Sequence, residues 1–478
     1  PDSNVLYGPH PDLKKYFCCN GIIPGFSQSG GMGLMSAQWM VDGESQYDMF
    51  AWDVARFGDW ADKAFTKARV GDQYAKRFAI HFPNEEREAG RPVRTRPIHE
   101  LQKALGGVFG LNYGWEHAQW FAEAPGVRDT NGFTRQNWFE PVGSECRMLR
   151  ENAGIIDISN FAKYCVRGMK AADWLNAIFA NNMPKAVGRS CLTPLIGVRG
   201  GIAGDFTVTR LADDEFMIIG SGMAERYHQR FWNMVPMPEG VTFESLTEAM
   251  CGFNVAGPKS RELLQRLTNT SLATADFPFM RSQRIELAGV DCVALRVSYT
   301  GDLGWELHCN TEDQLRLYQA LLYAGKAFGA GPVGGRALMS LRVEKGYGSW
   351  SREFSPEYWP QEVGLAGLIK LDKEFLHKQA YLAIKDNPPR EMLSIVEILD
   401  VTIADATGGE PIFDKAGNGV GRVTSGTYGY GVNKSLALCY LKNVTPGEEL
   451  DVMVLGVPHL AVVLAEPPFD PSGAKLRG

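Results

Sequence analysis

The sequence predicts an α+β fold with a small β-barrel at its carboxyl end. Two patterns carry this prediction. Between residue 138 and about residue 373, amphipathic helical segments alternate with short runs that have the composition of strands. After the Asn-Pro-Pro of residues 387–389, the chain changes to short strands separated by turns rich in glycine. Short strands at this spacing are typical of a small closed barrel.

Length, charge and the apolar stretches limit the class of protein that this chain can be. A chain of 478 residues with 45% hydrophobic residues is long enough for about three domains. The net charge is −6 and the Lys and Arg residues are scattered, so no nucleic-acid partner is expected. The longest apolar stretches, such as residues 454–465, are shorter than the ~20 residues of a spanning helix, so no membrane association is expected.

Cysteine and histidine spacing gives no metal site. The nine cysteines form no CxxC pair, and the eight histidines form no HxxxH or HExxH. Reduced, mostly buried thiols suit an intracellular soluble protein, and the cytoplasm and the mitochondrial matrix both stay open.

The amino-terminal region predicts a strand at residues 16–20, a glycine loop at residues 29–33 and a helix at residues 34–41. In such a loop, Gly30, Gly31 and Gly33 would let backbone N–H groups approach a phosphate or a flavin ring. The alternative is an ordinary strand-to-helix turn, because the spacing is not GxGxxG.

A literal GxGxxG occurs at Gly329, Gly331 and Gly334. It follows a predicted helix, whereas a dinucleotide site needs it to follow a strand. We therefore predict a loop there.

The pattern divides the chain into four parts joined in part by a linker at residues 124–134. The central part contains predicted helices at residues 146–152, 171–180, 224–233, 260–267 and 312–329. The predicted parts are residues 1–60, a middle or cap segment at 61–125, an α+β domain at 135–385 and the barrel at 390–478.

Asp205 is a candidate catalytic carboxylate. It follows the glycine turn of residues 199–204, where we expect it at the first position of a strand. A partly buried carboxylate there can hold an amine or accept a proton. Its alternative role is to cap the turn. The opposing strand ends in Gly-Ser-Gly at residues 220–222, which places Ser221 where the backbone could approach a ligand.

Residues 298–307 predict a strand-turn-strand hairpin that carries Tyr299 and Glu306 near the two ends of its turn. The carboxylate can accept N–H donors from a planar heterocycle, and the ring can stack on it. An ordinary hairpin with an exposed glutamate is the alternative.

Residues 337–347 predict a helix with Leu338 and Leu341 facing a core. Arg342 and Glu344 are too close in sequence to share a face well, so we expect one of them to point inward. An inward Arg342 would either pair with a buried acid or contact a ligand.

Five phrases that occur in one order reveal a family resemblance. With them the chain resembles the glycine-cleavage T-protein family of tetrahydrofolate-dependent aminomethyltransferases. It is more similar still to the carboxyl-terminal part of dimethylglycine dehydrogenase, sarcosine dehydrogenase and dimethylglycine oxidase. Residues 16–41 resemble the last strand, glycine loop and helix of an amine-oxidase-type flavin domain. The phrases are residues 137–145, 255–258, 298–306, 340–347 and 360–365.

The resemblance implies a function and a site. A flavoprotein part would oxidise an N-methyl amine to an iminium, and the folate domain would transfer the one-carbon unit to tetrahydrofolate as 5,10-methylenetetrahydrofolate. Asp205 would lie near the reacting folate nitrogen, Glu306 would hold the pterin, and Tyr299 would lie beside it. Arg342 and Ser221 are the remaining predicted folate contacts.

One difference from the family pattern indicates to which branch of the family the chain is most similar. An arginine of the T-protein branch is replaced here by Leu338, which favours the flavoprotein branch over lipoyl-protein glycine cleavage. The implied cofactors are tetrahydrofolate and FAD, and FAD would be held largely by a part absent from this chain. We expect that flavin-binding half either in the same, longer chain, which is the preferred interpretation, or in a partner subunit.

Two other functions stay open. A flavin-independent, folate-dependent O- or S-demethylase would share the folate domain but leave residues 1–60 without a purpose. A non-enzymatic regulatory subunit on the same scaffold would not need Asp205, Tyr299 and Glu306. The sequence does not identify the methylated amine that would be the substrate.

Overall fold

The computed structural model describes residue 2, residues 4–23 and residues 25–478. Helices and strands alternate along this part of the chain. The amino-terminal region holds two antiparallel strand pairs, β1–β2 and β3–β4, with helices between them. Its elements are β1 (Leu6–Pro9), β2 (Phe17–Asn20), α1 (Gly25–Asp42), α2 (Lys63–Ala75), α3 (His99–Ala104), β3 (Gly107–Asn112) and β4 (Trp115–Phe121). In these described residues no helix is long and apolar enough to cross a membrane.

The glycine run at residues 29–33 lies inside α1, so the predicted loop is wrong. Met32, Met35 and Trp39 recur at helical spacing and pack in one apolar cluster with Tyr7. The Tyr7 hydroxyl also donates to the Met32 carbonyl at 2.8 Å. Gly30, Gly31 and Gly33 are exposed, and a Cβ on any of them would meet no atom within 4 Å. Packing on one side therefore outweighs the weak helix propensity of glycine.

The central region contains a five-stranded and a six-stranded sheet. The first has the order β10-β6-β9-β8-β7 and the second β12-β13-β14-β11-β5-β15, in which only β15 runs parallel to its neighbour β5. Each predicted helical segment of this region overlaps a helix, but α4 begins at Phe139, seven residues before the predicted start at residue 146. The elements are α4 (Phe139–Glu151), β5 (Gly154–Asp157), β6 (Ala162–Arg167), α5 (Ala171–Ile178), β7 (Ser190–Ile196), β8 (Ile202–Ala212), β9 (Glu215–Gly220), α6 (Glu225–Trp232), β10 (Thr242–Ser245), β11 (Met250–Ala256), α7 (Ser260–Gln265), β12 (Ser282–Leu287), β13 (Val290–Leu295), β14 (Gly304–Asn310), α8 (Gln314–Gly325), β15 (Gly331–Val333), α9 (Gly335–Glu344) and α10 (Lys378–Leu382).

The glycines at 329, 331 and 334 do not form a plain loop, which corrects the prediction. Gly331 begins β15, and Gly334 directly precedes α9. A Cβ on Gly334 would lie 2.3 Å from the Gln119 carbonyl oxygen, so this glycine is needed for close packing on β4.

The carboxyl-terminal strands close into a barrel, as the turn spacing predicts. Six strands join in the order β16-β19-β18-β17-β20-β21, and β21 pairs back with β16. Inward-facing aliphatic side chains fill its interior. The elements are β16 (Met392–Ile398), β17 (Pro411–Phe413), β18 (Gly419–Gly429), β19 (Lys434–Leu441), β20 (Glu449–Val454), β21 (Val457–Val463) and α11 (Ala474–Arg477).

Candidate functional site

Asp205 lies on the face of the five-stranded sheet that looks toward the six-stranded sheet. It is the fourth residue of β8 and not the first, because the strand already begins at Ile202. Alternation along the strand puts it on the face of Thr207, which pairs with Ile219. Ile219 packs in one apolar cluster with Leu295 of the opposite sheet. The predicted catalytic carboxylate therefore borders the space between the two sheets.

The Asp205 carboxylate is half-buried and lacks a protein counter-ion. Among the described residues, no Lys, Arg or His nitrogen lies within 4.0 Å of it. Burial raises the pKa of Asp205 to about 6, opposed only by a hydrogen bond from its own backbone N–H. A carboxyl group with this pKa can exchange a proton near neutral pH.

Glu306 approaches the same space from the six-stranded sheet. In β14 it pairs with Leu295, so the two side chains share a face. The Glu306 side chain is 18% exposed, and its Oε2 lies 3.4 Å from Nε2 of His308, two residues further along that face. Burial lowers the pKa of His308, which leaves the ring uncharged at neutral pH. Glu306 thus keeps acceptor capacity for a ligand.

Lys163 is a buried charged residue beside this space that the sequence argument missed. It pairs with Ile219 in β6 and is fully buried, with Nζ donating to the carbonyls of Ser159 at 3.1 Å and Phe161 at 2.9 Å. Burial lowers the pKa of Lys163 to about 8, and the charge of Glu306 acts in the opposite direction. A lysine within an apolar strand was the signal that could have found it.

Tyr299 stands at the start of the hairpin turn. Its hydroxyl donates to the carbonyl of Gly348, and its ring stacks on Tyr347 with the centroids 5.9 Å apart. Burial raises the pKa of Tyr299, Arg342 opposes this, and the negative charge of Asp205 adds to it. Tyr299 and Asp205 are therefore within electrostatic range of each other.

Arg342 is held by the protein itself. Its Nη1 lies 2.8 Å from Glu353 Oε2 and 2.8 Å from the Tyr347 carbonyl, and Nη2 donates to Ser425 Oγ at 2.6 Å. Both Arg342 and Glu344 are fully buried, so the expectation that only one faces inward is wrong. The reason is that each has its own partner of opposite charge.

Arg150 is the partner of Glu344, and it anchors the hairpin turn. Its guanidinium forms ion pairs with Glu344 at 2.7 Å and with Asp302, and donates to the Thr300 carbonyl at 2.9 Å. The guanidinium also stacks over the ring of Phe469 at 3.4 Å. Helix α4, helix α9 and the turn between Tyr299 and Glu306 are thus tied by one buried cation.

Ser221 directly precedes a short 3-10 turn at Gly222–Ala224, and its side chain makes no capping hydrogen bond to that turn. A Cβ on Gly222 would lie 1.8 Å from the Asn160 carbonyl oxygen, and one on Gly220 would lie 2.6 Å from the Phe206 ring. Packing therefore explains both glycines, and Ser221 alone remains a candidate contact.

A cavity of about 210 Å³ lies between α9, β18 and residues 132–138. Arg342 and Ser425 line it, with Arg352 at its rim. Two further lining arginines are already neutralised, Arg336 by Asp129 and Arg135 by Asp405. The guanidinium of Arg352 forms no ion pair within 4.0 Å among the described residues. No ion pair within that part of the chain therefore neutralises its charge.

The three flavin-site candidates lie apart from this arrangement. Because Gly30, Gly31 and Gly33 are inside α1, their N–H groups belong to the helix and do not form a phosphate cradle. The exposed, side-chain-free surface at these positions still permits close approach of another group.

Comparison with known proteins identifies three matching regions. Residues 98–373 match the GCVT N-terminal domain, residues 396–470 the glycine cleavage T-protein C-terminal barrel domain, and residues 42–95 the FAD dependent oxidoreductase central domain. The first match alone extends over more than half of the chain.

Individual relatives agree with these matches. The chain is 34% identical to dimethylglycine dehydrogenase, mitochondrial, of Mus musculus, over 100% of this chain and 56% of that protein. It is 30% identical to 4-methylaminobutanoate oxidase (formaldehyde-forming) of Paenarthrobacter nicotinovorans, over 100% of this chain and 58% of that protein. The chain therefore spans about half the length of these relatives.

A solved structure has the same fold. The crystal structure of glycine cleavage system aminomethyltransferase T from Bartonella henselae superimposes with a TM-score of 0.69 at 22% identity, over 79% of this chain and 98% of that one. By the extent of its domain match and by its relatives, the chain belongs to the glycine cleavage T-protein family and is homologous to about half of dimethylglycine dehydrogenase.

Proposed function

We propose that this chain is the tetrahydrofolate-dependent part of an enzyme that oxidatively demethylates an N-methyl amine. The observation that carries the proposal is the pair of carboxylates, Asp205 and Glu306, which border one space from opposite sheets. Among the described residues neither has a Lys or Arg nitrogen within 4.0 Å, although the charge of Glu306 acts on the buried Lys163. A flat heterocycle with several N–H donors satisfies such acceptors. When bound, tetrahydrofolate accepts a one-carbon unit and leaves as 5,10-methylenetetrahydrofolate.

Each residue has a distinct proposed role. Glu306 accepts hydrogen bonds from the pterin, Tyr299 packs beside the ring, and Ser221 contacts it from the turn that follows β9. Asp205 holds or accepts a proton at the reacting nitrogen. Arg342 acts by positioning, since it fixes the segment whose Gly348 carbonyl receives the Tyr299 hydroxyl.

Arg352 extends the proposal to the rest of the folate molecule. Its unpaired guanidinium at the rim of the 210 Å³ cavity suits the carboxylates of a glutamyl tail. Leu338, at the position where the resemblance places an arginine of the T-protein branch, lies in α9 and supplies no charge.

The binding of FAD and of the substrate amine is proposed for the whole protein, of which this chain is one part. The proposed four-part division, with a flavin-domain tail at residues 1–60, a middle segment at 61–125, a folate domain at 135–385 and a barrel at 390–478, leaves most of the flavin site to a further half in the same chain or in a partner subunit. Dimethylglycine, sarcosine and 4-methylaminobutanoate are amines of the appropriate class. The proposed location is inside the cell, in the cytoplasm or the mitochondrial matrix.

Binding and transfer assays with two variants test the assignment. Tetrahydrofolate affinity is measured by calorimetry, and transfer is measured with a flavoprotein that oxidises an N-methyl amine and supplies the iminium. We expect Asp205→Ala to depress transfer far more than binding, and Glu306→Ala to depress binding more. Asp213→Ala, whose side chain is 91% exposed, is the matched control.

The outcome that contradicts the proposal is wild-type affinity and transfer rate in both variants. Identification of the folate product separates the alternatives, since a flavin-independent O- or S-demethylase would give 5-methyltetrahydrofolate. Failure of the chain to bind any folate would favour a regulatory subunit.

A further inference from the structure

A second, smaller cavity lies where the amino-terminal region packs on α6. Its volume is about 90 Å³, well below the ~300 Å³ of pockets for drug-sized ligands, so it suits a ligand much smaller than folate. Most of its lining is apolar. Five aromatic side chains take part: Trp39, Tyr47, Phe50, Tyr227 and Phe231.

Glu44 is the carboxylate of this cavity. Glu44 is only 9% exposed, and its Oε2 accepts a hydrogen bond from the backbone N–H of Arg199 at 3.2 Å. No Lys, Arg or His nitrogen of the described residues lies within 4.0 Å of the carboxylate. Burial raises the pKa of Glu44 to about 7; the backbone N–H and the charge of Arg199 oppose this rise, and the charge of Asp48 adds to it.

The one arginine that lines the cavity does not compensate this charge. Arg230 donates to the carboxylate of Asp53 and to the carbonyl of Pro9, so its own charge is already matched. The cavity therefore combines aromatic rings with a buried acid that forms no ion pair within 4.0 Å among the described residues. An isolated buried carboxylate is costly unless a cation accompanies it.

We propose that this cavity binds a small alkylated ammonium ion, with Glu44 as the counter-ion and the aromatic side chains as its cage. Aromatic faces attract alkylammonium groups, and methyl groups on the nitrogen suit an apolar lining better than the hydrated surface of Na⁺ or K⁺ does. A neutral apolar ligand would leave Glu44 unpaired. The site is separate from Asp205, Tyr299 and Glu306, so it does not depend on the proposed folate chemistry.

Calorimetric titration of the 478-residue chain with tetramethylammonium chloride tests the proposal. We expect saturable binding at one site, and at least tenfold weaker binding of tert-butyl alcohol, which has a similar shape without the charge. Glu44→Gln keeps an acceptor for the Arg199 N–H but removes the charge, so it should weaken tetramethylammonium binding at least tenfold. Glu374→Gln, with a side chain that is 82% exposed, should leave it unchanged.

A second variant keeps the test decisive if Glu44→Gln does not fold. Tyr47 is 52% exposed at the cavity mouth, so Tyr47→Ala should fold and should weaken binding about threefold through the lost cation–π contact. Absence of saturable binding to the wild type, equal binding of tert-butyl alcohol, or unchanged binding in the variants would overturn the proposal.

Discussion

Arg342 Nη1 lies 2.8 Å from Glu353 Oε2, and neither side chain is exposed to solvent. Glu353 also accepts the Ser349 N–H at 2.9 Å and the Thr424 hydroxyl at 2.7 Å. This pair therefore joins α9, the segment after it and the barrel. The Tyr299 hydroxyl donates to Gly348 within that segment, so the ion pair and the candidate site are mechanically linked.

Breaking this pair on one side should be strongly destabilising. Arg342→Met leaves the Glu353 charge buried without a partner, and Glu353→Gln does the same to Arg342, each at a cost of about 3–5 kcal/mol. The double variant Arg342→Met with Glu353→Met should cost much less than the sum of the single changes. Urea unfolding monitored by tryptophan fluorescence measures all three. Simple additivity would show that the two residues do not act as a pair.

The hairpin turn depends in the same way on Arg150. Arg150→Met would leave Asp302 and Glu344 buried as unpaired carboxylates, with an expected loss of about 3 kcal/mol or more. Tetrahydrofolate affinity should also fall, because the turn between Tyr299 and Glu306 loses its anchor.

Arg147→Met on the same helix is the control for this prediction. Arg147 is exposed, and its only side-chain hydrogen bond among the described residues reaches Ser144 Oγ at 3.5 Å. Equal losses of thermal stability in the two variants would contradict the assigned role of Arg150.

Local patterns in the sequence predicted the barrel, the hairpin and the approximate positions of the central helices, because periodicity and turn residues report short-range structure. The pairing of Arg342 with Glu353 and of Arg150 with Glu344 could not be read in this way. These partners are brought together by the packing of separate elements, and no spacing rule connects Arg150 to a residue 194 positions away. The glycines of α1 were predicted to form a loop from their local pattern. They are helical instead, because the tertiary packing of Met32 and Trp39 stabilises the helix.

Arg352 should contribute to folate affinity through charge. Arg352→Gln is expected to weaken binding of monoglutamyl tetrahydrofolate about fivefold, as the loss of one charge-assisted hydrogen bond implies. The loss should be greater for polyglutamyl forms, and it should shrink as salt is added. Calorimetry at two salt concentrations measures this. Arg284→Gln is the control, because the Arg284 side chain is 62% exposed, and it should not change folate affinity. An equal loss of affinity in this control would contradict the role assigned to Arg352.

Asp205 should give the transfer reaction and the stability opposite pH dependences. Burial raises its pKa from 3.8 to about 6, so the carboxylate needed as proton acceptor forms only as the pH rises through about 6. We expect the transfer rate to rise with a midpoint near pH 6 in the wild type and to stay low and flat in Asp205→Asn.

Stability should change in the other direction. Because the folded pKa is raised, the native state binds more protons than the unfolded chain between pH 3.8 and about 6, and the wild type loses about 3 kcal/mol across that window. Asp205→Asn lacks this loss, so its stability relative to the wild type should increase from pH 4 to pH 7. Denaturant unfolding at these two pH values measures the difference. A constant difference would mean that Asp205 ionises as readily in the folded protein as in water, and that no buried proton acceptor exists at this position.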